Sequence, residues 1–410
     1  MYRRRRIAVA AAALIVVVGG YTGLIALTPL PALHGSLAVE AEAQIDADEA
    51  PAQGAVDAQA LPTAVGWADD EQVWANDDSP RRIASITKLV TVLVGLEAKP
   101  VEPGTDGPVY TVSEADAALV DEVLAQDGTF APAPVGLELT TRQLLDLILV
   151  PSANNYAIAY SRWVFGSDEA FLAAANDWLS RNGLESVRIF EASGLSDDNV
   201  ATAADVLRLS RLALANPLVA EIVSQSRIEI PELGEITTTN RLLGEPGVIG
   251  VKTGTTFPSG YSLAAAQRET LTGRELVAIA VTLDRDDGEA RAADTRAALA
   301  AMAASGQTVQ LVEEGEPIGS VTTWTGAEIG LIAKTGAETV LVPGEAARRT
   351  AELAAIPTGG AGRQAGTVRI AAPGGDQEVP VVTAAAILEP DLWWRLTHPG
   401  IVLGWTPVDG

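Results

Sequence analysis

The segment IASITKLVTVL, residues 83–93, places apolar side chains at i, i+3, i+4 and i+7 from Ile86. This spacing predicts a helix with one buried face. Lys88 stands inside the apolar run, one helical turn after Ser85, so the two side chains are close enough to touch. Burial would favour the neutral, proton-accepting form of a lysine. The alternative is that Ser85 caps the helix and Lys88 extends to solvent.

Hydrophobic patterning also indicates the elements that follow. The sequence TTRQLLDLILV (140–150) has a capping box and predicts a helix, and residues 288–304 predict another. Between them, VIGVKTG, YSLAAAQ and ELVAIAVTL predict successive strands. Residues 63–305 are therefore expected to form a domain of mixed helices and strands. Short β-like runs between glycine-rich turns predict a small all-β domain over 306–390.

The N-terminal region, residues 1–34, combines four arginines with an uncharged apolar run over 7–33. A helix of this length spans a bilayer, and the arginines keep its start in the cytoplasm. A signal peptide cleaved near AEAQ (41–44) is the alternative. In either case the body of the protein is expected to be exported: it is anchored on the extracytoplasmic face of the membrane, or secreted if the segment is cleaved.

Two flanking segments have unusual compositions. Residues 35–62 lack aromatic side chains and are rich in Ala, Asp, Glu and Gln, which predicts a linker. The Trp-rich tail, residues 391–410, has few charges. It is expected either to pack against the β domain or to insert at a membrane interface.

Composition excludes several classes of function. The 410 residues carry a net charge of −25, which argues against binding of nucleic acid. The sequence has no cysteine, so thiol nucleophiles, zinc–thiolate sites and disulfides are excluded. With two histidines, a histidine-based triad or zinc site has little to be built from. A hydrolase of this composition would need Lys, Asp, Glu or Tyr as its base.

Two further motifs follow Ser85 and Lys88. PSANNYA places Ser152 and Asn154 just after the 140–150 helix, on a predicted loop, 152 − 85 = 67 residues beyond the first serine. VKTGTT follows at the end of an apolar strand, with its lysine 252 − 152 = 100 residues further on. Each motif alone is weak, but the ordered set is a strong signal. A second Lys-Thr-Gly at 334–336 is predicted to be a hairpin turn.

With these motifs the chain resembles the serine penicillin-recognising enzymes, and among them the low-molecular-weight D-Ala-D-Ala carboxypeptidases. The resemblance covers roughly residues 63–390 and includes the Ser-Gly-Leu of 192–206 and the return PSGYSL, 258–263. It implies an α/β (α+β) β-lactamase/transpeptidase-like fold with an antiparallel sheet flanked by helices. Two features depart from the family pattern. One is SANNYA, which stands where many relatives have Ser-Gly-Asn-Asp-Ala, and the other is Thr255 after the Lys-Thr-Gly.

The resemblance also implies roles for the motif residues. Ser85 would be the nucleophile, activated by Lys88, whose pKa burial and the nearby Lys252 would lower. The N–H groups of Ser85 and Thr255 would form the oxyanion hole. Ser152 would relay a proton to the leaving D-alanine.

The other motif residues would hold the substrate. Asn154 would hold the substrate amide and Lys88, and Lys252 with Thr253 would bind the terminal carboxylate. Gly254 would let the substrate backbone lie against the strand. The expected activity is removal of the terminal D-alanine from peptidoglycan stem peptides, with β-lactam antibiotics as inhibitors and without a metal or organic cofactor.

Four other functions compete with this interpretation. A class A type β-lactamase shares the motifs, but no Glu between Ser152 and Lys252 begins the Glu-x-x-Leu-Asn pattern of those enzymes. An exported wall sensor that is acylated but turns over poorly would have the same sequence features. Transpeptidase or endopeptidase activity depends on loop geometry.

Overall fold

The computed structural model describes residues 2–102, 104–256 and 260–407, so Pro258 and Ser259 of the glycine-containing return lie outside the described residues. The helices in chain order are α1 (Tyr2–Leu27), α2 (Ala50–Asp57), α3 (Thr87–Ala98), α4 (Glu114–Leu124), α5 (Thr141–Leu149), α6 (Asn154–Phe165), α7 (Asp168–Arg181), α8 (Ala203–Ala215), α9 (Pro217–Val223), α10 (Gly288–Ala303), α11 (Leu392–Thr397) and α12 (Pro399–Val402). The strands are β1 (Ser36–Leu37), β2 (Glu42–Asp46), β3 (Thr63–Trp67), β4 (Trp74–Ala75), β5 (Arg81–Arg82), β6 (Val109–Thr111), β7 (Glu138–Thr140), β8 (Val200–Ala201), β9 (Arg227–Ile230), β10 (Gly234–Thr237), β11 (Val248–Thr255), β12 (Tyr261–Leu271), β13 (Arg274–Arg285), β14 (Gln307–Val312), β15 (Pro317–Thr322), β16 (Glu328–Ala333), β17 (Ala337–Leu341), β18 (Ala346–Leu353), β19 (Gln364–Ala371) and β20 (Gln377–Thr383).

Residues 48–306 form one compact unit around an antiparallel sheet. Among the described residues its strand order is β11-β12-β13-β3-β4. The three apolar runs predicted to be successive strands are β11, β12 and β13, and each pairs with the next. Strand β11 lies at an edge of the sheet.

Helices cover both faces of this sheet. Along β13, Ile279 and Val281 belong to the large core that also contains Val206 of α8. Thr282 points to the other face, where its Oγ1 lies 2.7 Å from Oγ1 of Thr295 on α10. Because successive side chains of a strand alternate between faces, α8 and α10 pack on opposite sides. The predicted antiparallel sheet flanked by helices is confirmed.

The predicted 140–150 helix is α5, and its capping box is present. The Oγ1 of Thr140 accepts a hydrogen bond from the Gln143 N–H at 3.2 Å, and Oε1 of Gln143 accepts one from the Thr140 N–H at 2.9 Å. The chain then turns at Ser152, which has a φ of 68°. Asn154 is the first residue of α6 rather than a loop residue. The reason is that NNYAIAYSRWVF has its own helical pattern of buried side chains.

Residues 1–47 and 307–410 form the second unit. Its main sheet has the order β1-β15-β16-β20-β19-β18-β2 in the described part of the chain. The predicted small β domain therefore also takes strands from the N-terminal region. Helix α11 packs against the end of α1, where the Tyr21 hydroxyl donates to the Leu396 carbonyl at 2.7 Å.

The prediction of a linker over residues 35–62 is wrong for most of that segment. Strands β1 and β2 lie at the two edges of the seven-stranded sheet in the described residues, and α2 belongs to the other unit. An edge strand is held largely by backbone hydrogen bonds and needs few apolar side chains. Helix α2 buries Ala52, Ala55 and Val56, which are small enough to leave the segment with a linker-like composition.

The second Lys-Thr-Gly, residues 334–336, joins β16 to β17 but is not a hairpin turn. Strand β16 pairs with β15 and β20, whereas β17 pairs with β14. The two flanking strands thus enter different sheets, which their sequences alone do not distinguish.

Candidate active site

Ser85 lies on a tight turn at the start of α3. A 3-10 turn spans Ala84–Ile86, and Ala84 has a φ of 46°, in the left-handed region. Lys88 lies in the first turn of α3, with its Nζ 2.7 Å from Oγ of Ser85. The Lys88 side chain is completely buried, so the alternative of a lysine extending to solvent does not hold.

The Lys88 amine has two further oxygen neighbours. Its Nζ donates to Oδ1 of Asn154 and, at 2.6 Å, to the carbonyl of Ser193. Burial lowers the pKa of Lys88 to about 7, while the negative charge of Glu191 acts in the opposite direction. A large fraction of Lys88 is therefore neutral near pH 7.

Ser152 and Lys252 form a second serine–lysine pair. Nζ of Lys252 donates to Oγ of Ser152 at 2.8 Å and to the carbonyl of Thr253 at 3.2 Å. Burial lowers the pKa of Lys252 well below its usual value, and the positive charges of Lys88 and Arg291 lower it further. Burial is the largest cause of the lowered pKa at both lysines, and the repulsion between their positive charges, which is mutual, disfavours the protonated form of each.

The end of β11 lies against the turn that carries Ser85. A Cβ on Gly254 would come within 2.4 Å of the Ile83 carbonyl oxygen. Gly254 is thus required by packing against this turn, which differs from the expected role in substrate approach. Oγ1 of Thr253 is hydrogen-bonded to Oγ1 of Thr239. The Thr256 N–H donates a hydrogen bond to the Gly260 carbonyl at 3.0 Å, on the side of β12.

These elements enclose a cavity of about 400 Å³. The expected site residues divide between its wall and the layer beneath it: Ser85, Ser152, Asn154, Thr253 and Thr255 line it, whereas Lys88 and Lys252 are buried behind them. The remaining lining residues are Gln126, Asp127, Gly128, Thr129, Gly194, Leu195, Asp197, Thr239, Thr256 and Arg291.

Arg291 was not anticipated from the sequence. It lies on α10, and its Nη1 donates to the Gly254 carbonyl at 3.2 Å and to Oγ1 of Thr255 at 3.3 Å. Burial lowers its pKa to about 10, so it remains positively charged at neutral pH. A sequence signal existed, because Arg291 falls on the buried face of α10 with Thr295 and Ala298.

Glu191, which borders the site, was also not identified from the sequence, and Ser193 was noted only as part of the Ser-Gly-Leu segment. They precede Gly194 of the Ser-Gly-Leu segment, and a Cβ on Gly194 would lie 2.0 Å from the Ala84 carbonyl. No periodic pattern marks this segment, so its contacts with α3 were not predictable. Among residues 2–102, 104–256 and 260–407, no cluster of three or more His, Cys, Asp or Glu could hold a metal ion.

Solved structures share this fold. Penicillin-binding protein 5 from Haemophilus influenzae aligns with a TM-score of 0.56 and 19% identity over 80% of this chain and 97% of its own. PBP3 from Streptococcus pneumoniae, described as a peptidoglycan synthesis regulatory factor, aligns with a TM-score of 0.54 and 21% identity over 80% and 98%. The fold is that of the penicillin-binding proteins.

The sequence comparison assigns the family. The family model described as D-alanyl-D-alanine carboxypeptidase, Peptidase S11, matches residues 73–287, and the chain belongs to this family. The carboxypeptidase DacF of Bacillus subtilis (strain 168) is 26% identical over 210 residues, which is 49% of this chain and 52% of the relative. A D-alanyl-D-alanine endopeptidase of Pseudomonas aeruginosa is 32% identical over 146 residues, or 36% and 44%. The matches span about half the length of these curated relatives.

Proposed function

We propose that the protein is a serine D-Ala-D-Ala carboxypeptidase that removes the terminal D-alanine from peptidoglycan stem peptides through an acyl-enzyme on Ser85. The observation that carries this proposal is the set of contacts made by Nζ of Lys88. A neutral amine has two N–H bonds and one lone pair. The carbonyl oxygens of Asn154 and Ser193 can only accept, so they take both N–H bonds. The lone pair is left for the hydroxyl proton of Ser85, 2.7 Å away.

Acylation follows from this arrangement. Lys88 takes the Ser85 proton while Oγ attacks the carbonyl carbon of the penultimate D-alanine. The developing oxyanion is accepted by the N–H groups of Ser85 and Thr255, each worth roughly 3–4 kcal/mol in the transition state. Since the Thr256 N–H faces β12, strand alternation turns the Thr255 N–H toward the outer edge of β11.

The second serine–lysine pair serves the leaving group. Ser152 lines the cavity and contacts Lys252, so its hydroxyl can pass a proton to the departing D-alanine nitrogen. Asn154 holds Lys88 through Oδ1 and reaches the cavity wall, where it holds the substrate amide. Water then hydrolyses the acyl-enzyme.

Recognition of the terminal carboxylate falls to Arg291 together with Thr253 and Thr255. Lys252, expected from the resemblance to bind this carboxylate, is 1% exposed and engaged with Ser152. Arg291 is positively charged and faces the cavity. A guanidinium also binds a carboxylate through two parallel hydrogen bonds.

Release of D-alanine tests this proposal. The full chain should cleave a pentapeptide ending in D-Ala-D-Ala, releasing D-alanine, and should release little D-alaninamide from the same peptide with a C-terminal amide, because the amide removes the charge that pairs with Arg291. Equal cleavage of both peptides would favour a D-alanyl-D-alanine endopeptidase, the activity named for the Pseudomonas relative. Acylation by penicillin without cleavage of either peptide would favour the wall sensor. Rapid destruction of the drug would favour a β-lactamase.

We further propose that α1 is retained as a membrane anchor. It is long and apolar enough to cross a bilayer and has an exposed apolar surface. The AEAQ of residues 41–44 overlaps β2, so cleavage there would remove β1 and part of β2 from the sheet. The catalytic domain, 63–305, would then act on the extracytoplasmic face.

The C-terminal tail combines both of its expected roles in this proposal. Trp394 packs on the core of the β unit and stacks on His398. Trp393 and Trp405 are 74% and 76% exposed on the same tail, which also contacts the end of α1. Large exposed tryptophans beside a membrane-spanning helix favour contact with the lipid headgroups.

A further inference from the structure

The segment from Glu191 to Ser196 forms a tight turn around a single carboxylate. Oε2 of Glu191 accepts hydrogen bonds from the N–H and the hydroxyl of Ser193, both at 2.6 Å. Oε1 accepts from the N–H groups of Gly194 and Ser196 and, at 3.0 Å, from Nδ2 of Asn199. One side chain thus holds several donors of the turn in fixed directions.

This turn touches the proposed reaction centre at two points. The Ser193 carbonyl accepts a hydrogen bond from Nζ of Lys88, and Gly194 packs against the backbone of Ala84 and Ser85. A change in the Glu191 carboxylate would therefore alter both the acceptor that orients Lys88 and the wall beside the Ser85 N–H. Glu191 itself does not touch the Lys88 amine in the described structure.

We propose that Glu191 is a positioning residue for Lys88: its carboxylate fixes the turn that directs the Ser193 carbonyl at Nζ, and its negative charge acts on the Lys88 amine. This role rests on the proposed function. The two effects oppose each other, since the geometry orients the lone pair toward Ser85 whereas the charge favours the protonated lysine.

Other charged groups lie near the site together with Glu191. Lys252 on β11, whose pKa the charge of Lys88 lowers, and Arg291 on α10, which lines the cavity, are basic groups of the same site. Asp127 and Asp197 line the cavity in front of Lys88. Around Glu191, a neighbouring cavity is lined by the ion-paired Arg162 and Asp168. Against this background the negative charge of Glu191 raises the pKa of Lys88.

The test is the rate of acylation by a fluorescent penicillin, measured on the full chain from about pH 5 to about pH 9. In Glu191→Gln the acidic limb should move to lower pH by about half a unit or more, because loss of the negative charge lets Lys88 lose its proton earlier. The maximum rate should also fall at least about tenfold, because an amide cannot accept all of the turn's hydrogen bonds. Glu185→Gln, a change at an exposed residue of the preceding turn, should leave both quantities unchanged.

Glu191→Asp keeps the negative charge but has a side chain shorter by one methylene. It is the second test variant if Glu191→Gln does not fold. It should keep the wild-type midpoint while losing rate. A uniform loss of rate in Glu191→Gln with an unmoved midpoint would reduce Glu191 to a structural residue and overturn the proposal, as would a shifted midpoint in Glu191→Asp. A wild-type chain that forms no adduct at any pH would instead remove the proposed function, and this role with it.

Discussion

Gly254→Ala tests whether the contact between β11 and the Ser85 turn sets the catalytic geometry. The added Cβ would lie 2.4 Å from the Ile83 carbonyl oxygen, whereas ordinary contacts begin at 3.4 Å. The strand and the turn must therefore separate by about 3.4 − 2.4 = 1.0 Å. This displacement falls between the N–H groups of Ser85 and Thr255, which are proposed to bind the same oxyanion.

A misplacement of about 1 Å at a reaction centre can cost about 100-fold in rate, so acylation of Gly254→Ala by penicillin should be about 100-fold slower than in wild type. Overpacking should also cost about 1–3 kcal/mol of stability, visible in urea unfolding. Gly54→Ala is the matched control, because a Cβ there meets nothing within 4 Å and Gly54 lies in α2. Wild-type acylation by a folded Gly254→Ala would refute the argument that this close approach aligns the two donors.

Three further predictions concern charge and membrane contact. Because only neutral Lys88 can accept a proton and its pKa is about 7, wild-type acylation should rise about tenfold per pH unit below pH 7 and level off above it; a flat profile in a stopped-flow assay would contradict this. Arg291→Gln should lower kcat/KM for a peptide with a free C-terminal carboxylate at least about tenfold, whereas Arg296→Gln, on the exposed side of α10, should not; equal values for both variants would remove Arg291 from carboxylate binding. In vesicles containing brominated phospholipid, tryptophan quenching should fall when Trp393 and Trp405 are both changed to Phe and persist when a buried tryptophan is changed; unchanged quenching in the double variant would place the tail away from lipid.

Local patterns were sufficient to locate the Ser85 helix, the 140–150 and 288–304 helices and three strands of the catalytic unit. Helical spacing and a capping box located α3 and α5, and apolar runs located β11 to β13. Such elements bury a continuous face, which leaves a periodic record in the sequence. Strands β1 and β2 were missed because edge strands bury little and pair through their backbones.

The candidate site also contains residues that local motifs identify and residues that only the fold identifies. Ser85, Lys88, Ser152 and Lys252 stand in short ordered motifs, and the structure brings them into two hydrogen-bonded pairs. Arg291 arrives at the cavity from a separate helix, so no local motif announces it. Arg291 and Glu191, unlike Lys252, were therefore identified only from the fold.

The reason why Gly254 is required was likewise evident only from the fold. The sequence suggested an approach of substrate to the strand, whereas the close neighbour in the structure is the Ile83 carbonyl. That neighbour is distant in sequence and is identified only once β11 and the Ser85 turn are packed together.

The mass of the intact protein after reaction with penicillin tests the central claim most directly. The full chain and Ser85→Ala would be mixed with the drug and followed over time. A lasting increase by the mass of one penicillin on wild type, absent from Ser85→Ala, is the predicted result. An adduct that persists in Ser85→Ala, or no adduct on wild type while the drug stays intact, would contradict the assignment of Ser85 as the nucleophile.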